Sequence, residues 1–348
     1  MVGAGGSQYG RQQVSRSATI RDVARAAGVS TAAVSRVLNP GSGAVSSSTR
    51  ERVLAAVEDL SYRPRTAARE LRGGARPTLA LVLADVTNPF FAQLADRVVW
   101  EARSHDVTVQ LMTTREDPTL EAESLTALLQ RRIGSVIATP TGGNVERWED
   151  LREAGTSVVF VDRRIEGFTA ATVSTADEES GHAAAQHLLR LGHQRIGVIA
   201  GPSTTSTGRD RVTGHARALT EHGLTPDPSL VHQVPFRGDQ GADAVSALLD
   251  TEDPPTALVV ANTAQVVSSM RRLALRGVRT GQDLSVVVFD DNPWTELHTP
   301  ALTVVRQPIG LVARHAVTLA LRQDARDQVR VRADLVPRAS TGLAPAAS

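Results

Sequence analysis

Residues 19–39 read TIRDVARAAGVSTAAVSRVLN, and the spacing of the small, capping and apolar residues in this stretch decides how the chain begins. Ile20, Val23 and Ala24 mark one face of a first helix, and the small Ala24 lets a second helix approach closely. Thr19 stands where an N-cap is needed, with Asp22 at the capping-box position. Gly28 falls at the turn, where a positive φ costs glycine least. Ser30 is a good N-cap for the second helix, and Val34 and Val37 return to the core at helical spacing. The opposite side of that helix is Thr31, Ala32, Ala33, Ser35 and Arg36, short residues with one arginine. A helix so shaped can bring its backbone close to base edges, so the stretch reads as a helix-turn-helix for the major groove of DNA.

Charge follows the same division. The whole chain of 348 residues carries a formal +1, but the segment through Arg76 is +7 and the remainder −6. A basic head on a mildly acidic body suits phosphate contact by the head alone. The length of 348 residues allows two or three domains with a sizeable core, and the 41% hydrophobic content is normal for a soluble globular protein. No run approaches the roughly 18 apolar residues of a membrane span. The first 18 residues lack the apolar segment of a signal peptide and read as a disordered extension. With no cysteine there is no disulfide framework and no thiolate metal site, which suits the cytoplasm.

A third helix is expected from about Ser48 to Leu60, with Thr49, Val53, Ala56, Val57 and Leu60 as its stripe. Tyr62 is either a lid on the head's core or a phosphate contact. Arg65–Arg72, RTAARELR, is helix-prone but too short to stand alone, and Gly73-Gly74 follows it. It reads either as a hinge helix that orders on DNA, with Leu71 wedged into the minor groove, or as a plain linker.

From Thr78 apolar strands alternate with amphipathic helices. Strands are expected at residues 79–83, 108–112, 135–138, 157–161, 171–174, 195–200, 230–233, 257–260, 284–289 and 303–306, with helices such as 91–105, 120–130, 178–191 and 211–222. That alternation means parallel sheets covered on both faces, and the strand count suits two doubly wound α/β lobes with a cleft between them. Ligands in such folds bind beyond the carboxyl ends of the strands. Asp85 with Asn88-Pro89-Phe90-Phe91, Asp162-Arg163, Asn262, Asp290-Asp291 and Gln307 all follow strands, and Arg209 and Arg211 lie past a Ser/Thr loop. Carboxylates, Asn and Arg can grip paired hydroxyls, and Phe90, Phe91 or Phe236 can cover an apolar ring face. An enzyme is disfavoured. Gly201–Arg209 lacks the spacing and the Lys-Ser/Thr ending of a P-loop, there is no G-x-S-x-G elbow, and His182, His187 and His193 lack helical metal-ligand spacing. No cofactor or metal is expected.

Taken together, the residues resemble the lactose-repressor (LacI/GalR) family of bacterial transcription regulators, from Thr19 to about Gly342. The carriers are TIRDVARAAGVS with VSRVLN, then VSSSTRERV from Val45, YRP from Tyr62, TNPFFAQLADRV from Thr87, LGHQRIGVIAGP from Leu191, VVFDD from Val287 and RASTG from Arg338. The resemblance implies an all-α helix-turn-helix head (19–64), a hinge helix and linker (65–77), and a body (78–342) shaped like a periplasmic sugar-binding protein. Its lobes would be about 78–175 with 307–334 and about 176–306 with 335–342, leaving 343–348 as a tail. It implies a homodimer on a pseudo-palindromic operator, with half-sites about one helical turn apart.

The DNA-contacting set would be Thr19, Ser30, Thr31, Ala32, Ala33, Ser35, Arg36, Asn39 and the intercalating Leu71. The effector set would be Phe90, Phe91, Asp162, Arg211, Phe236, Asn262, Asp290 and Gln307. Two departures stand out. Thr263 replaces the aspartate that the family usually carries after Asn262, and Ala32 and Ala33 offer no hydrogen-bonding side chains. A sugar or sugar derivative that releases the operator is the expected effector; a purine or nucleoside co-repressor is the alternative.

Overall fold

The structure, a computed structural model, describes residues 18–38, 45–60, 62, 77–322 and 325–345. The chain divides into two compact units, Met1–Ala75 and Arg76–Ser348. Asn39, Leu71, the hinge segment through Arg76 and the extension through Ser17 lie outside the described residues.

The head is three helices, α1 (Ile20–Ala27), α2 (Thr31–Leu38) and α3 (Ser47–Asp59). Its termini form as their residues dictate. The Thr19 backbone N–H donates to the Asp22 carboxylate at 2.9 Å, and Thr19 Oγ1 accepts from the Asp22 N–H, closing the capping box. Gly28 takes φ 63°, and Ser30 Oγ accepts from the Ala33 N–H at 3.1 Å. The core is Val23, Ala24, Ala27, Val34, Val37, Val53 and Ala56, with Tyr62 packed against it, which is the lid position. The expected stripe of α3 holds at Val53 and Ala56, whereas Leu60 is exposed.

The body has two six-stranded sheets that share one strand order and differ only in the direction of the last edge strand. The first runs β11-β5-β4-β3-β1-β2 and the second β12-β10-β9-β8-β6-β7. Lobe N holds β1 (Thr78–Leu83), β2 (Thr108–Thr113), β3 (Ser135–Ala138), β4 (Ser157–Val161), β5 (Ala171–Thr175) and β11 (Gln328–Val331). Lobe C holds β6 (Ile196–Ala200), β7 (Val231–Gln233), β8 (Ala257–Val260), β9 (Ser285–Phe289), β10 (Thr303–Arg306) and β12 (Asp334–Val336). The central strands are buried on both faces, hence their unbroken apolar runs. All named pairings are parallel except β12 on β10, an antiparallel edge that the alternation pattern did not announce.

Helices cover both faces: α4 (Pro89–Ser104), α5 (Pro118–Gln130), α6 (Val145–Glu153) and α12 (Ile309–Ala320) in lobe N, and α7 (Asp177–Arg190), α8 (Ser206–Glu221), α9 (Gln240–Leu249), α10 (Thr263–Leu275) and α11 (Pro293–Leu297) in lobe C. Helices α7 and α8 touch backbone to backbone. A Cβ at Gly214 would stand 1.8 Å from the Glu178 carbonyl oxygen, and one at Gly181 2.1 Å from that of Arg211. Among the described residues no helix is long and apolar enough to cross a membrane.

Candidate functional site

All eight candidate effector residues line one cavity at the carboxyl ends of the strands, joined by Asn88, Arg163, Thr207 and Thr263. Local chemistry places each of them. Asn88 caps α4 by accepting from the Phe90 N–H at 3.1 Å, which sets Phe90 and Phe91 in the first turn, edge to face with centroids 5.2 Å apart. Asn262 caps α10 by accepting from the Ala264 N–H at 2.9 Å. Asp162 and Asp290 end the fourth strand of their respective sheets. Both take positive φ, 67° and 71°, a conformation that aspartate tolerates better than most residues. The shared topology thus delivers one carboxylate from each lobe to the cavity.

Arg211, 6% exposed, donates from Nε to Asp177 Oδ1 at 2.7 Å and from Nη1 to the Ala261 carbonyl at 2.9 Å, and lies 4.4 Å from the Phe289 ring centre. Arg163 makes a two-pronged pair with Glu116, 2.7 and 2.8 Å, and its guanidinium sits 4.1 Å from the Phe236 ring centre. Asp290 accepts from Gln307 Nε2 at 2.7 Å and from the Thr263 hydroxyl. The residue that departs from the family pattern therefore donates to a carboxylate here instead of adding one.

Burial pushes the carboxyls up: Asp177 to about 7 against the pull of Arg211, Asp290 to about 6, and Asp162 above its ordinary value with Arg163 opposing. Three buried donors in the wall, Asn262 Nδ2, Thr207 Oγ1 and Arg163 Nε, have no hydrogen-bond partner, though Arg163 Nε stands 3.5 Å from Asp162 Oδ2.

The cavity is only about 20 Å³, room for about one water. The lobes are clasped across it. Arg237 pairs with Asp85 and Arg209 with Glu166, Arg164 Nη1 meets Asp210 at 2.8 Å, and Gln93 Nε2 donates to Asn292 at 3.0 Å. Arg209, read from sequence as a strand-end cation, serves in that clasp. A larger hollow of about 480 Å³ shares Asp290 and Gln307 with the cavity and is walled by α4 and the start of α12. Glu116, Asp177 and Thr207 are site residues that sequence reasoning missed.

In the head, Thr31, Ala32 and Arg36 are exposed on α2, and Ala33 and Ser35 half-buried beside them. Thr19 and Ser30 serve as helix caps. The histidines are occupied structurally: His182 with Glu221, His187 with Thr341, and His193 with Thr256 and Ser285. Among the described residues no cluster could hold a metal ion.

A helix-turn-helix unit joined in one chain to a two-lobed body with a polar cleft defines a ligand-responsive DNA-binding regulator. The chain belongs to the lacI family of bacterial regulatory proteins. Residues 19–65 match the model for that family, and residues 185–341 match a periplasmic binding protein-like domain. The chain is 31% identical over 333 residues to the HTH-type transcriptional regulator DegA of Bacillus subtilis (strain 168), covering 93% of this chain and 98% of DegA. Solved structures match over nearly the full length. The lac repressor dimer bound to operator and the anti-inducer ONPF aligns with TM-score 0.77 and 26% identity over 94% of this chain and 100% of that one. The CelR–cellobiose complex aligns with TM-score 0.70 and 28% identity over 93% and 99%. The protein is a DNA-binding transcriptional repressor of this family, which acts as a dimer on operator DNA under a small-molecule effector.

Proposed function

We propose that the effector is a sugar or sugar derivative held between the lobes, and that its binding releases the operator. The observation that carries this reading is the mixture at one cavity of inward carboxylates, Asp162 and Asp290, with the partnerless donors Asn262 Nδ2 and Thr207 Oγ1. A hydroxyl donates and accepts at once, so a polyol satisfies both sets. Phe90, Phe91 and Phe236 supply apolar faces for the ring. CelR, similar over nearly its whole length, is described with cellobiose.

Ligand pockets generally measure about 300–1,000 Å³, so entry requires the clasped lobes to part or the cavity to merge with its larger neighbour. Release follows if the ligand prefers a lobe arrangement that disfavours paired heads, by the difference in its affinity for the two states. On the DNA side, Arg36 and Thr31 supply polar base contacts, Ala32, Ala33 and Ser35 allow close approach, and Thr19 and Ser30 contact the backbone. Asn39 and Leu71 are assigned by family position. The protein works in the cytoplasm, on the chromosome.

The test is a melting screen of the full chain against sugars, sugar phosphates and nucleosides, with a gel shift on a selected operator. A ligand at about 100 times its Kd stabilises by roughly 2.7 kcal/mol. A stabilising sugar that also weakens the operator shift, with reduced affinity in Thr207→Val, is the expected outcome. Stabilisation by nucleosides alone, or tighter operator binding with ligand, would refute the reading.

A further inference from the structure

Between β7 and α9 the chain runs as a loop from Pro235, and two of its residues reach across the cleft. The Phe236 ring meets the Arg163 guanidinium, 4.1 Å from the ring centre, and Arg237 pairs with Asp85. The ring is seated on Gly201, where a Cβ would stand 2.5 Å from two of its carbons. One loop therefore supplies both an aromatic wall of the cavity and a cation of the clasp. The loop has little stiffness of its own. Gly238 takes φ 92°, and the Asp239–Arg271 pair joins side chains 74% and 61% exposed, a kind of tie worth little.

A single buried side chain holds both ends of it. Gln265, in the first turn of α10, is 0% exposed. Its Nε2 donates to the Pro235 carbonyl at 2.6 Å, and its Oε1 accepts from the Gly241 N–H at 2.7 Å. A carbonyl only accepts and a backbone N–H only donates, so the two partners fix which way the amide points. Gly241 permits the approach: a Cβ there would meet the Gln265 carbonyl oxygen at 2.8 Å. The turn of α10 that carries Gln265 also presents Asn262 and Thr263 to the cavity. A buried amide with both ends satisfied stiffens what it joins, and one left unsatisfied is costly.

We propose that Gln265 is a positioning residue of the effector site. It lines no part of the cavity itself; it fixes the 235–241 loop so that Phe236 meets Arg163 and Arg237 meets Asp85 together. The role holds whatever effector enters, and its test needs none.

The full-length protein is labelled with 4-fluorophenylalanine, and the signals of its six phenylalanines are followed by ¹⁹F NMR, that of Phe236 being assigned by its loss in Phe236→Leu. Gln265→Met keeps the bulk of the side chain and removes both bonds; Gln265→Leu takes its place should methionine not fold. The Phe236 signal should move toward its position in Arg163→Met, where the stack is absent, while Phe160 and Phe168, packed in lobe N, stay in place and report an intact fold. Gln265→Glu at about pH 5 should restore the wild-type signal, because burial keeps that carboxyl protonated and it can then both donate and accept. Arg271→Ala should leave Phe236 unmoved. An unmoved Phe236 signal in the apolar variant, a displaced one in Gln265→Glu at that pH, or an equal displacement in Arg271→Ala would each overturn the assignment.

Discussion

Removing the Arg211 side chain should cost stability in a way that depends on pH. In Arg211→Ala the Asp177 carboxylate, 5% exposed, loses the guanidinium 2.7 Å away, the Ala261 carbonyl loses its donor, and the Phe289 ring loses the group stacked on it. Above pH 7, where Asp177 is ionised, breaking this buried ion pair from one side should cost about 3–5 kcal/mol, a large share of the roughly 5–15 kcal/mol that holds a domain folded.

The pH dependence follows from Asp177. In the unfolded chain its carboxyl titrates near 3.8; in the native protein burial raises it to about 7, with Arg211 lowering it. Between those values the native state holds a proton that the unfolded state lacks, so stability declines as pH rises through the window. Above pH 7 the wild type is level in this group, because both states have lost the proton. Without Arg211 the native value climbs further and the decline continues, by up to about 1.4 kcal/mol per pH unit. The difference between variant and wild type should therefore be constant below pH 7 and widen above it. Urea denaturation at pH 6, 7, 8 and 9, at one protein concentration, measures it. In Asp177→Asn/Arg211→Ala the widening should vanish. A single-variant loss below about 1 kcal/mol, or one that stays level from pH 6 to 9, would refute the buried-pair account. Effector response should fail in the same variant, but only among molecules shown to be folded.

Thr19→Ala opens the capping box and should destabilise the head by about 1 kcal/mol, read as earlier melting of the head's helical signal; an unchanged midpoint would discount the cap. Gly214→Ala drives a Cβ into the Glu178 carbonyl and should cost about 3 kcal/mol or more by chemical denaturation, since neither backbone can yield alone; wild-type stability would show that α7 and α8 can separate. Arg36→Ala should weaken operator binding by about 1–3 kcal/mol and relax base preference at one position. Equal losses on operator and random DNA would reassign Arg36 to phosphate.

What was legible in the sequence is what short-range chemistry determines. Thr19, Asp22, Gly28 and Ser30 act over three or four residues, and each does in the structure what its type implies. Central strands such as Leu79–Leu83 announce themselves because burial on both faces requires an apolar run. Edge strands carry no such signal. Gln328–Val331 and Asp334–Val336 are short, polar and half-exposed, and neither was expected as a strand. Helix α8 begins at Ser206, five residues before the expected start, because Ser-Thr-Gly reads as loop. Gly208 is there for room: a Cβ would meet the Pro202 carbonyl oxygen at 2.2 Å. The cleft shows the same split. Asp162, Asn262, Asp290 and Gln307 follow strands within two residues and could be read by position, whereas Glu116 and Asp177 are set by partners 47 and 34 residues away along the chain.

The clasp across the cleft explains how a small ligand can govern this body. The ion pairs Arg237–Asp85, Arg164–Asp210 and Arg209–Glu166 each involve an arginine side chain about a third exposed, 36%, 39% and 35% respectively. Exposed pairs of this kind are worth about 0–1 kcal/mol each. The Arg163 guanidinium on Phe236 is buried, and such a contact adds up to about 2 kcal/mol. The lobes are thus held by a few kcal/mol, comparable to the roughly 5.5 kcal/mol of differential affinity needed to move a two-state equilibrium from 1:99 to 99:1. A cleft sealed by a dry apolar interface would resist any sugar, and one with no clasp would leave the ligand nothing to shift. Because the clasp is largely electrostatic and partly exposed, salt loosens it, so effector affinity and operator affinity should both depend on ionic strength, the first through the cleft and the second through the phosphates.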